Sequence, residues 1–262
     1  MKYVIVGGDY RFACLERLMK SRGDSVCRIS GKTLLPEHGA ALAEAENVIM
    51  NCPVRGEACG LDCERVLEKV NGRARIYLAG PGKLETGDER IVDLWRDETL
   101  VTDNARLTAE GAIAAAMQAG GKSIRECACL VVGWGRIGRA LTEMLVGMGA
   151  KVTVASRSQA GRNRAIERGA LAVNTEYLRI GGFDIVFTTP PAMVLDDKIL
   201  KKADKDVMIL DLASPPYGVD LNAAWDLGLR AWREPGLPGR YCPESAAKAI
   251  LRAIDRDGRG SK

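Results

Sequence analysis

Short apolar runs rich in valine, isoleucine and leucine recur along the chain. Between them lie longer stretches in which apolar residues return every three or four positions. In the first half the runs cover residues 3–6, 25–29, 47–51 and 75–79, with a weaker one at 99–102. Residues 12–21 and 61–70 carry helical spacing. Unbroken apolar runs suit strands covered on both faces, and their alternation with helices predicts βαβ units and parallel sheets. Residues 1–104 therefore read as a small open-sheet domain of flavodoxin-like type. In the second half strands are expected at 128–132, 151–155, 171–173, 183–188, 207–212 and 229–232. Six strands in that rhythm match the two mononucleotide-binding halves of a Rossmann domain. The expected fold class is α/β, with two open parallel-sheet domains divided as 1–104 and 105–262. An alanine-rich helix at 107–117 reads equally as an interdomain connector or a plain packing helix, with Thr108 as its cap. A terminal helix is expected from 243 to about 255, placed either in the second domain or folded back toward the first, with a frayed end beyond it.

Composition narrows the partners. The chain has 262 residues, 47% hydrophobic and 27% charged, with a net charge of +4. That is ample material for a core. The positive excess is scattered rather than gathered into a basic run, which argues against nucleic acid. No stretch approaches the ~20 continuous apolar residues of a membrane helix. The first strand meets Gly7-Gly8 too early for a signal peptide, so the cytoplasm is the expected location. Of the eight cysteines, Cys59 and Cys63 are spaced CxxxC and Cys127 and Cys129 CxC, with no CxxC pair. With His38 as the single histidine, no metal site is expected, and the cysteines read as free thiols.

The motif that carries chemistry is Gly133-Trp134-Gly135-Arg136-Ile137-Gly138. Alone, GxGxxG is weak. This one follows the apolar run Leu130-Val131-Val132, opens a helix, and is followed by another strand, which is the context of a dinucleotide site. Gly133 allows the tight turn, Gly135 the approach of a pyrophosphate, and Gly138 close helix–strand packing. The helix N-terminus offers free amides and a positive dipole end. An NAD site usually carries an acid about 20 residues on, for the ribose 2′-hydroxyl. Here that place holds Ser156-Arg157-Ser158. An arginine between two hydroxyls suits a 2′-phosphate, so NADP(H) is expected over NAD(H). Farther on, Thr189 and Pro190 in Thr188-Thr189-Pro190-Pro191 are expected to run beside the dinucleotide, although a structural turn would read the same.

Ligands in open α/β sheets bind beyond the carboxyl ends of the strands. Two loops rich in Pro and Gly fall there, at 211–220 and 234–244. In the first domain the corresponding loops carry Gly8-Asp9-Tyr10-Arg11 and Cys52-Pro53-Val54-Arg55. Arg11 and Arg55 are candidate carboxylate binders, though each alone reads first as a surface residue.

The stretch from Leu107-Thr108-Ala109-Glu110-Gly111-Ala112-Ile113, through the glycine motif and Ser156-Arg157-Ser158, to Asp211-Leu212-Ala213-Ser214 and Pro235-Gly236-Leu237-Pro238-Gly239 resembles the A subunit of dipicolinate synthase. Over residues 1–104 the likeness is thinner, resting on Val6-Gly7-Gly8-Asp9 and Pro53-Val54. The resemblance implies a nicotinamide-dependent oxidation of a dihydropyridine dicarboxylate to dipicolinate in sporulating bacteria, beside a flavoprotein-like B subunit. Self-association into a homo-oligomer is also expected. Two departures stand out: Tyr217-Gly218 where the family often carries Gly-Gly, and Glu244 in place of a lysine.

That reaction needs two carboxylates held and a proton removed. Arg55, Ser214 and Arg240 are the candidate carboxylate binders, and Glu110 or Asp9 the candidate proton acceptor. The rival enzyme is a 2-hydroxy-acid dehydrogenase. Such chemistry generally uses a histidine, and His38 lies outside the expected catalytic loops. Reduction of another cyclic substrate, or a nucleotide-sensing regulatory role, are the remaining readings.

Overall fold

The computed structural model describes residues 1–31, 33–51, 57–58, 61–80, 82 and 87–259. The chain divides into two compact units, 1–104 with 238–262 and 105–237.

The first unit opens with β1 (Lys2–Val6), α1 (Tyr10–Ser21), β2 (Ser25–Ile29), α2 (Pro36–Glu44) and β3 (Asn47–Met50). A two-residue pair, β4 (Glu57–Ala58) and β5 (Leu61–Asp62), leads into α3 (Cys63–Leu67), β6 (Arg75–Leu78) and β7 (Ile91–Asp93). The main sheet runs β2-β1-β3-β6-β7, all parallel. Counting its five strands in chain order gives 2-1-3-4-5, the flavodoxin-like arrangement. Val4, Val6, Val48 and Met50 on one face, and Tyr3, Ile5 and Ile49 on the other, are buried because helices cover both faces.

The expected strand at 99–102 is not a strand. Asp97 accepts a hydrogen bond from the Leu100 amide, and α4 (Glu98–Gly120) begins there and runs unbroken for 23 residues. The apolar pair Leu100-Val101 belongs to its inward-facing stripe. Thr108 therefore lies mid-helix and buried rather than at a cap.

The second unit continues with β8 (Ala128–Val132), α5 (Arg136–Gly147), β9 (Lys151–Ala155), α6 (Gln159–Glu167), β10 (Leu171–Val173) and β11 (Ile185–Thr188). It closes with α7 (Asp197–Leu200), β12 (Met208–Asp211), α8 (Leu221–Asp226) and β13 (Arg230–Arg233). The strand order is β10-β9-β8-β11-β12-β13, all parallel. This is the 3-2-1-4-5-6 order of two mononucleotide-binding halves meeting at a switch between β8 and β11.

The expected second domain, 105–262, ends too late. After α9 (Leu237–Tyr241), the terminal helix α10 (Pro243–Arg259) packs within the first unit, against α1. Its apolar stripe of Ala247, Ile250, Ala253 and Ile254 joins Phe12, Leu15 and Met19 in one core. Around that stripe Arg22 pairs with Asp255 at 2.9 Å, Arg75 with Asp257 at 2.8 Å and Arg256 with Asp97 at 2.6 Å. Exposed pairs are individually worth about 0–1 kcal/mol. The helix is held chiefly by burying that apolar stripe.

Candidate active site

The glycine motif leaves the carboxyl end of β8 and turns into α5. Gly133 adopts φ +100, and its amide donates to the Ala155 carbonyl at 2.8 Å. A Cβ there would overlap the Thr189 hydroxyl and lie 3.0 Å from Pro190. One added at Gly138 would overlap the Gly133 carbonyl oxygen. At Gly135, the N-cap of α5, a Cβ would meet nothing within 4 Å. Two of the glycines are thus demanded by packing, and the third leaves open space in front of a helix start. That space, with the free amides of the first turn, fits an anionic diphosphate. Arg136 is exposed and Ile137 half-buried in the same turn.

Thr189 binds back onto this turn: its amide and hydroxyl both donate to the Val132 carbonyl, at 3.0 and 2.9 Å. Thr189 and Pro190 therefore wall the motif on the β11 side. Trp134 packs beside Gly161 on the β9 side, with its indole Nε1 buried and unpartnered among the described residues.

At the end of β9, Ser156 is buried, whereas Arg157 and Ser158 are exposed. The Ser158 hydroxyl caps α6 by accepting from the Gly161 amide at 3.2 Å. Arg162 donates to the carbonyls of both Ser156 and Arg157, each at 2.8 Å, and also bonds Gln159. It ties the two carbonyls of the turn to α6. A helix-borne arginine such as Arg162 has no signature of its own in the sequence until the turn closes over it.

Beyond β12, Asp211 is buried, and its carboxylate accepts from the amides of Ala213 at 3.1 Å, Gly218 at 3.1 Å and Val219 at 3.3 Å. Burial pushes its carboxyl above the usual range; the three amides and Arg233 pull the other way. Asp211 thereby ties off the loop that contains Ser214, which is exposed, and the cis bond Pro215–Pro216. Gly218 packs so closely on Thr188 and on the Pro190 carbonyl that a Cβ there would overlap the Thr188 methyl. Tyr217 adopts φ +71, and the Arg233 guanidinium lies 3.7 Å from its ring centroid. Neither Asp211 nor Arg233 stood out as a site residue in the sequence, since both pass for strand ends.

The remaining candidates fall apart as a group. Asp9 caps α1 through the Arg11 amide, and the Arg11 guanidinium grips the same carboxylate at 2.8 Å through both Nε and a terminal nitrogen. The expected proton acceptor and carboxylate binder are thus bound to each other. Gly239, in the 235–239 segment, packs directly on that Asp9 carboxylate. Arg240 is exposed, 5.4 Å from the Tyr241 ring. Glu110 is exposed on α4. Arg55 lies outside the described residues. Glu244 pairs with Lys248 at 2.9 Å and Arg17 at 3.2 Å, so this departure serves the surface of the first unit. His38 accepts from the Leu35 amide at the start of α2. Cys14, Cys63, Cys127 and Cys129 are buried thiols, and burial pushes Cys129 up to about 12. Among the described residues no cluster of His, Cys, Asp or Glu is placed to hold a metal, and no helix is long and apolar enough to cross a membrane.

Residues 91–212 match the family model for the D-isomer specific 2-hydroxyacid dehydrogenase NAD binding domain. That match, with the strand order and the glycine turn, gives this part of the chain the character of a dehydrogenase-type NAD-binding domain. More particularly, the chain is similar to the A subunit of dipicolinate synthase from Bacillus subtilis (strain 168), 31% identical over 169 residues. The alignment covers 64% of this chain and 57% of that relative. The crystal structure of the dipicolinate synthase A subunit from Bacillus halodurans superposes with a TM-score of 0.78, 22% identity and coverage of 97% and 96% of the two chains. Its Bacillus subtilis counterpart follows at 0.76 and 23%, covering 98% and 95%. The resemblance read from the sequence is thus found again in alignment and in fold.

Proposed function

We propose that this chain is the NADP(H)-dependent dehydrogenase of a dipicolinate-forming reaction, acting on a dihydropyridine dicarboxylate. One observation carries the cofactor choice: the turn after β9 presents an exposed Arg157 between Ser156, which is buried, and Ser158, which caps α6, with no carboxylate in the turn. A ribose 2′-hydroxyl lacks its usual acidic acceptor there, while a 2′-phosphate gains a guanidinium. The substrate class rests on the similarity to the dipicolinate synthase relative.

When bound, the nicotinamide supplies the hydride-accepting group. The chain's own part is to bind and align. The α5 amides and Gly135 hold the diphosphate, Trp134 and Ser156 shape the β9 side, and Thr189 and Pro190 wall the β11 side. Ser214 stands at the loop where a substrate would meet the cofactor, and Glu110 is the proposed proton acceptor. Arg11, Arg55 and Arg240 remain proposed carboxylate binders, Arg11 only if it exchanges Asp9 for the substrate. The relatives are named as one component of a synthase with several. That is the reason to propose assembly with a flavoprotein-like B subunit, together with self-association, in the cytoplasm.

The matched hydroxyacid dehydrogenase domain favours a second reading, oxidation of a 2-hydroxy acid. Against it, the single histidine is engaged in starting α2. The test is to supply freshly generated precursor with NADP⁺ or NAD⁺, with and without a B-type partner. Reduced cofactor and dipicolinate should rise together, faster with NADP⁺. Cofactor binding without either product would discard the dipicolinate reading and favour another substrate or a sensor.

A further inference from the structure

We infer that Arg233 is a substrate-carboxylate binder of the second unit and that Tyr217 is the platform that holds it. This rests on the reading above and adds a residue to its site.

In the parallel pair β12·β13, Asp211 and Arg233 are direct partners at the carboxyl ends of their strands. Their side chains stand side by side, with Arg233 Nε 3.9 Å from Asp211 Oδ2. The distance is too long for a hydrogen bond, and Asp211 already accepts three backbone amides. Among the described residues the Arg233 guanidinium has no hydrogen-bond acceptor, although its side chain is 41% exposed rather than fully out in water. Its position comes from the face of Tyr217, 3.7 Å below the guanidinium. That stacking leaves the in-plane N–H groups of the fork available, which is the geometry that reads a carboxylate.

Tyr217 is kept in an unfavourable conformation to provide this face. Its φ of +71 is the one non-glycine value in the left-handed region among the described residues. A residue with a Cβ is disfavoured there, where its Cβ crowds the backbone, and glycine is the usual occupant of this conformation. The loop enforces it: the Tyr217 amide donates to the Ser214 carbonyl, and Asp211 fixes the next two amides. A strained residue whose side chain seats a guanidinium with open N–H groups points to a ligand.

The location agrees. Gly218 packs on Thr188 and the Pro190 carbonyl, and Pro190 and Thr189 pack on Gly133. Arg233 and Tyr217 thus join the glycine turn through continuous contact on the β11–β13 half of the sheet. That half receives the second mononucleotide of a dinucleotide, and Arg157 lies at the opposite half, beyond β9. The ligand is a small molecule bearing a carboxylate beside a planar ring or an oxygen-bearing carbon.

The test is calorimetric titration of the NADPH-saturated full chain with pyridine-2,6-dicarboxylate and, separately, with oxalate as a mimic of 2-oxo acids. Nicotinamide fluorescence monitors cofactor binding throughout. R233M should weaken the bound carboxylate about ten- to a hundredfold while leaving NADPH affinity and melting unchanged. R233K should recover only part of the loss, because a point charge does not stack or fork. Y217F should match the parent, and Y217L should lose several-fold. Undiminished pyridine-2,6-dicarboxylate binding by R233M would overturn the inference and leave the proposed function standing. If the parent binds oxalate alone and R233M abolishes that, Arg233 stands and the dipicolinate reading falls. If the parent binds NADPH but neither carboxylate, both fall.

Discussion

Gly138 lies directly against the carbonyl of Gly133, so that a single Cβ at 138 would overlap the oxygen. The obstacle is backbone and cannot rotate away. Gly138→Ala should therefore destabilise the second unit by about 1–3 kcal/mol, as overpacking does. Gly135→Ala should behave oppositely. Gly135 has φ −79 and open space before its Cβ, so stability should move by no more than about 0.5 kcal/mol. Its NADPH affinity should nevertheless fall, because the methyl occupies the approach to the α5 amides. Urea denaturation beside NADPH titration of both variants separates the two roles. Equal behaviour of the pair would refute it.

Arg157 projects from the turn after β9 and is exposed. Arg157→Asp should cut NADPH affinity by about ten- to a hundredfold, with NADH affinity unchanged or improved. Melting should stay within about 0.5 kcal/mol of the parent, as for a surface change. Side-by-side titration with the two cofactors gives the answer. Parallel losses for NADPH and NADH would show that Arg157 does not read the 2′-position.

Asp211 makes a pH prediction. Its folded carboxyl titrates above the ordinary value of 3.8, because burial outweighs the amides that favour its charge. The folded state then holds the proton at pH values where the unfolded chain has released it. This group's favourable contribution is complete below about 3.8 and is lost as pH rises through the folded value. Asp211→Asn cannot titrate. The melting temperature of the parent minus that of Asp211→Asn should decline as pH is raised from about 3.5 toward neutrality. A difference that grows with pH would mean that the amides, not burial, control the carboxyl.

Ile254 is buried in the first unit on α10, beside the α1 core. Ile254→Ala should cost that unit about 2–5 kcal/mol. Arg252→Ala removes only the exposed partner of Asp103 and should cost less than about 1 kcal/mol. Equilibrium denaturation of the two variants compares them. Equal losses would mean that ion pairs rather than apolar burial hold the helix.

Much of the second unit could be read directly, because its signals are local. The β8 run, the glycine motif and the β9 run fall within about thirty residues, and each glycine answers a steric need within one turn. The absence of an acid after β9 is equally local, so Arg157 could be singled out. The 99–102 strand failed for a related reason. Two apolar residues between threonines carry no period, and the aspartate that starts the helix precedes them.

Hydrophobic period and backbone sterics act between neighbours in the chain, so the class of fold and the glycine turn were legible from local sequence. Tertiary structure alone decided which distant residues share a place. It returned α10 to the first unit and set Arg233 on Tyr217. Those outcomes depend on strand register, helix direction and competition among charged partners in space, none of which has a fixed spacing along the chain.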